Sequence, residues 1–219
     1  MYTGNTGSST PESGPGWVLG HGGRPASTGA ERQDAARNRQ RVLQAARDLF
    51  GERGVSGVTM EEISAQAGVG KGTLYRRYPN KGLLCQALLD EPTRAFQERV
   101  MRELAASGEG PLERLELFFR SLVGFMEENL DLLYGAHTSL SPSDRLSHPA
   151  YDWRRWTVLS LLREAVRRGA LDAGLDVEYL ATALLAPLDV ELYHHQRREL
   201  DLSPDRVSSG LASLIPRGG

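Results

Sequence analysis

From about Ala35 onward apolar residues recur at helical spacing, and no stretch alternates like a strand. Val42, Ala46 and Leu49, with Leu43 and Phe50 beside them, form one face at i, i+3/4, i+7 and predict a first helix that Gly54 stops. "TMEEISAQAG" opens with Thr59 and Glu62 at capping-box spacing, buries Ile63 and Ala67, and ends at Gly68. "VGKGTLYRRY" predicts a third, short helix, and "NKGLLCQALLDE" starts a fourth. Further on, Leu115, Phe118, Phe119, Leu122, Val123, Phe125 and Met126 place a helix that begins near Pro111. A polar loop, 138–149, follows. Pro149 then opens a helix to about Arg168, stopped by Gly169, and Asp176 caps one from Val177 to about Arg198. Ser203 and Pro204 begin a last helix that ends before Pro216. The pattern predicts an all-α protein without internal repeats.

Residues 1–30 are rich in Gly, Ser, Thr and Pro and carry one apolar cluster, Trp17 to Leu19. Such a segment cannot bury enough surface to offset its ordering, which predicts a disordered tail. Three parts are therefore expected: the tail over 1–30, a compact helical head over 31–90, and a larger helical body over 91–219.

Charge sharpens the picture. The whole chain carries a formal −2, but Arg37 to Gly82 holds nine Lys/Arg against four Asp/Glu. Arg37 to Gly82 is thus +5 and the remainder −7, and no acid occurs from Ile63 to Leu89. A basic module on an acidic body predicts a local polyanion contact. The single cysteine, Cys85, rules out an intrachain disulfide and reads as a small buried residue in a cytoplasmic protein. No apolar run of membrane-spanning length and no secretory signal is evident.

"GVGKGTLYRRYPNK", Gly68 to Lys81, admits two chemistries. A nucleotide-phosphate loop requires G-x-x-x-x-G-K-[ST] after a strand. Here Gly72 follows Lys71, Ala65 stands five before Gly70, and the preceding segment is a capped helix, so that reading fails. A helix-turn-helix fits: Gly68 supplies the turn, Val69 plugs the core, and the second helix presents Lys71, Gly72, Thr73, Tyr75 and Arg76 to a major groove. Thr73 suits a phosphate oxygen, and Lys71 or Arg76 suits guanine.

The run "RVLQAARDLFGERGVSGVTMEEISAQAGVGKGTLYRRYPNKGLLCQAL" resembles the DNA-binding domain of the tetracycline-repressor (TetR) family. The resemblance implies DNA contacts at Thr59, Lys71, Gly72, Thr73, Tyr75, Arg76, Arg77 and Lys81, and a core aromatic at Tyr78. It implies a homodimer built on the last two helices, with Leu184, Leu188, Leu192, Leu211 and Leu214 as interface candidates. It also implies a palindromic double-stranded operator, and an apolar effector held by Phe118, Leu122, Met126, His137, Trp153 and Trp156. Pro92 departs from the family's long fourth helix and is expected to kink or break it. No cofactor is expected. His137 and the pair His194 and His195 lack a second ligand at helical spacing, so no metal is expected. The implied function is a repressor released by its ligand. The alternatives are a regulator switched by a protein partner, and an enzyme on the body, for which the sequence offers no nucleophile–base pair or cofactor loop.

Overall fold

The computed structural model describes residues 29–139 and 149–215, with side chains from Gln33 onward. The tail call therefore lies outside the described residues except for its last two positions, as does most of the 138–149 loop. Among the described residues every regular element is helical.

Three helices build the head. α1 (Gly29–Arg53) buries Val42, Leu43, Ala46, Leu49 and Phe50 and ends as Gly54 turns left-handed at φ 71°. α2 (Met60–Ala67) starts in a complete capping box. Glu62 N–H donates to the Thr59 hydroxyl, and the Glu62 carboxylate accepts from Thr59 N–H. Gly68, at φ 60°, closes α2 and turns the chain into α3 (Lys71–Arg77). Tyr78 is buried in this core, as is Cys85.

Asn80 caps α4 (Lys81–Ala106) through Leu83 N–H. This one helix serves both cores. Leu84, Cys85, Leu88 and Leu89 pack with the head, and Phe96, Val100 and Leu104 with the body. Pro92 lies inside it without ending it, so the expected break does not occur. Proline removes only the bond to Leu88 O, and apolar anchors in both cores, on either side of it, hold the helical path.

The body packs α5 (Pro111–Glu128), α6 (Leu130–His137), α7 (Pro149–Arg167), α8 (Val177–Leu185), α9 (Val190–Arg198) and α10 (Pro204–Ser213) around Phe118, Phe119, Leu122, Met126, Leu159 and Leu162. The expected continuous helix from Val177 to Arg198 is instead two helices joined by a 3-10 turn, Ala186–Leu188. Pro187 cannot donate a helical bond, and Asp189 leaves helical geometry at ψ 137° to cap α9. The end of α6 crosses over to the head: Ala136 joins the head core, with Leu132 and Leu133 packed against it. Arg197 clamps Glu127 with two bonds of 2.8 Å, and the Tyr193 hydroxyl adds a third at 3.0 Å, tying α9 to the end of α5.

Candidate nucleic-acid interface

The turn between α2 and α3 is fixed from within. Val69 N–H donates to Ser64 O, the buried Ser64 hydroxyl donates to Val69 O at 2.7 Å, and Arg41 reaches across from α1 to Gly68 O at 3.1 Å. These bonds set the angle at which α3 leaves the head. Ser64 and Arg41 escaped the sequence reading, because their targets are backbone carbonyls that no residue spacing reveals.

α3 anchors itself through one buried side chain, Leu74. Lys71, Gly72, Thr73, Tyr75, Arg76 and Arg77 are all exposed, and the helix holds no acid. Among the described residues Lys71, Arg76 and Arg77 form no ion pair, whereas Arg37, Arg39 and Arg53 all do. The Tyr75 hydroxyl donates to Glu61 at 3.0 Å, which fixes the ring against α2. That bond, after one from Glu61's own backbone, holds the Glu61 carboxyl below its ordinary range.

Two of the expected contacts have work inside the head. The Thr59 hydroxyl is engaged with Glu62 in the capping box. Lys81 donates through Nζ to Val55 O at 2.6 Å and Val58 O at 2.8 Å, closing the carbonyls of the loop after α1. The ammonium has a third donor, so the staple and the expected phosphate contact are compatible.

The expected effector residues do not converge. Phe118, Leu122 and Met126 are fully buried and fill the body core. His137 sits at the end of α6, facing Glu191 at 3.4 Å. Trp153 and Trp156 do share a site, an open cleft of about 290 Å³ between α4, α5 and α7 that Met101, Leu104, Arg114 and Ser160 also line. Trp153 stands edge-on to Phe96 at 5.8 Å. The interface candidates divide likewise. Leu184, Leu188 and Leu211 are buried in their own chain, while Leu192 and Leu214 are exposed. Helical periodicity marks an apolar face but cannot distinguish a neighbour in the same chain from a second copy.

A head of this geometry is a helix-turn-helix DNA-binding domain. Residues 42–88 match the family described as bacterial regulatory proteins, tetR family, and this match supports a regulator of that type. An HTH-type transcriptional regulator of Staphylococcus aureus (strain bovine RF122 / ET3-1) is 31% identical over 103 residues, covering 47% of this chain and 55% of that one. The chain thus spans about half the length of that curated relative. The fold likeness reaches further. A transcriptional regulator from Saccharomonospora viridis in complex with choline superposes with a TM-score of 0.61 at 22% identity, over 82% of this chain and 96% of that one. AibR in complex with isovaleryl coenzyme A and operator DNA superposes with a TM-score of 0.55 at 21% identity, over 82% and 97%. Among the described residues no helix is long and apolar enough to cross a membrane.

Proposed function

We propose that this chain is a cytoplasmic transcriptional repressor that binds a palindromic operator as a homodimer and leaves it when a small, largely apolar ligand binds the body. The observation that carries the reading is the exposed set Lys71, Arg76 and Arg77, without an ion pair among the described residues, on an acid-free helix whose departure angle is fixed by Ser64 and Arg41. Exposed cations on one helix can neutralise backbone phosphates and release the DNA's counterions. Gly72 leaves room for close approach, Thr73 suits a phosphate oxygen, and Tyr75 is held ready beside them. The head over 31–90 reads DNA and the body over 91–219 senses.

Within the body, the cleft at Trp153 and Trp156 is the better effector candidate, since the Phe118 region is filled. That choline and isovaleryl coenzyme A accompany two fold relatives supports a ligand-sensing body. The filled core is also what favours the second reading, a switch by a protein partner. Release follows from differential affinity: the ligand shifts the equilibrium only by its preference between the two conformations. The deciding experiment is selection of bound sequences from random duplex DNA. A recovered palindrome supports the reading, and enrichment of no sequence refutes it.

A further inference from the structure

His137 closes α6 and is 7% exposed. Fifty residues further on, the chain bends at Asp189 to begin α9, and Glu191 follows in its first turn. One donor atom from each of these three side chains lies within 4.8 Å of the other two. His137 Nε2 and Glu191 Oε2 are 3.4 Å apart. A tetrahedral metal bound at about 2.0–2.2 Å holds its nitrogen and oxygen ligands about 3.3–3.6 Å from one another, the separation His137 Nε2 and Glu191 Oε2 already have. The Asp189 carboxylate, within 4.8 Å of both, must then close in by up to about 1.5 Å, a shift on the scale of a side-chain rotation.

We propose that His137, Asp189 and Glu191 form a divalent transition-metal site that joins the end of α6 to the start of α9. The donor set is one imidazole nitrogen and two carboxylates, which suits zinc, cobalt or manganese and gives a soft ion such as Cu(I) no thiolate. The two carboxylates offset the charge of a dication, with Arg154 as a further cation that interacts with Asp189. Asp189 is held in place beforehand, because its Oδ1 accepts from Glu191 N–H at 3.0 Å and from Leu192 N–H at 3.4 Å as the α9 cap. Three protein donors leave a fourth position for water or a small ligand. The location has a consequence for the head: Gly135 and Ala136, just before His137, pack against α4 and the head core. A metal here fixes α9 to the helix that touches the DNA-binding module.

The test is metal titration of the full chain, without a histidine tag and stripped by chelator, using zinc chloride and then cobalt chloride. Saturable binding of one zinc per chain is expected, with cobalt giving the visible absorption of a four- or five-coordinate ion. Asp189→Asn and Glu191→Gln should each weaken zinc binding by at least about tenfold, the loss that even an outer-shell partner causes. Both positions are exposed, so these variants keep the fold, which circular dichroism verifies. His137→Gln should abolish the cobalt spectrum. Absence of a saturable one-to-one site, or unchanged zinc affinity in either carboxylate variant, overturns the proposal. The outcome does not depend on the DNA-binding reading.

Discussion

Gly135 on α6 faces Cys85 on α4 so closely that a Cβ on the glycine would stand 3.0 Å from the cysteine Sγ and 3.0 Å from Val55 Cγ1. The absence of a side chain is what lets α6 seat on the head. Gly135→Ala should therefore overpack the junction and destabilise the protein by about 1–3 kcal/mol. Cys85→Ala in the same chain removes one of the two crowding atoms, so the double variant should recover part of the loss. Thermal unfolding of the four proteins in the cycle measures it, and strict additivity would show that the two residues do not compete for space.

On α3 and α4, two kinds of cation should behave differently. Lys71→Ala and Arg77→Ala should weaken operator binding, each reducing the salt slope by about 1, with the fold intact. Lys81→Ala should instead lower the melting temperature, because it leaves Val55 O and Val58 O without their donor, a cost of about 1–3 kcal/mol. Binding titrations at several salt concentrations, paired with melting curves, separate the two roles. A normal slope in both Lys71→Ala and Arg77→Ala would remove α3 from the DNA.

Acid should loosen the head through Glu62. Its pKa is held down at about 2, first by the Arg53 hydrogen bond, then by the Thr59 backbone and hydroxyl. A carboxyl depressed in the folded state adds stability that is fully present above its unfolded value, near 4.5, and that disappears as pH falls toward 2. Glu62→Gln should lower stability at neutral pH and flatten the decline between about 4.5 and 2. Urea unfolding of both proteins across that window is the measurement, and parallel curves would contradict the assignment.

How much of this was readable in the sequence depends on how local the cause is. The capping box at Thr59 and the left-handed turn at Gly68 follow from neighbouring residues, the burial of Tyr78 from the family resemblance and that of Cys85 from its residue type, and the structure has them as expected. Pro92 misleads because a local cost is outweighed by packing in two separate cores. Pro187 was passed over although it divides the helix after Val177. The role of Lys81 and the meeting of His137 with Glu191 depend on chain segments 23 to 54 residues apart. Spacing along the chain cannot show such meetings.

The final prediction concerns the second copy. Leu188 is an interface candidate by the family resemblance, yet it is 2% exposed within its own chain, whereas Leu192, in the first turn of α9, is 43% exposed. The two substitutions should therefore fail differently. Leu188→Glu puts an unpaired charge into the body core and should unfold the protein, or lower its stability by several kcal/mol, whatever its oligomeric state. Leu192→Glu places its charge at the surface and should leave the melting curve of the protomer near that of the wild type. In a two-fold dimer that same charge meets its own copy across the axis, so it should act twice and shift sedimentation from dimer to monomer. A monomer reads only one half-site, so operator affinity should fall while the salt slope per protomer is retained. Sedimentation velocity at micromolar concentration, together with titration of whole and half operators, follows both effects. A Leu192→Glu protein that stays dimeric moves the interface to the surface around Leu214, which is 60% exposed and is tested by Leu214→Glu in the same assay. A wild-type monomer on the same run would refute the dimer and remove the basis for a palindromic operator.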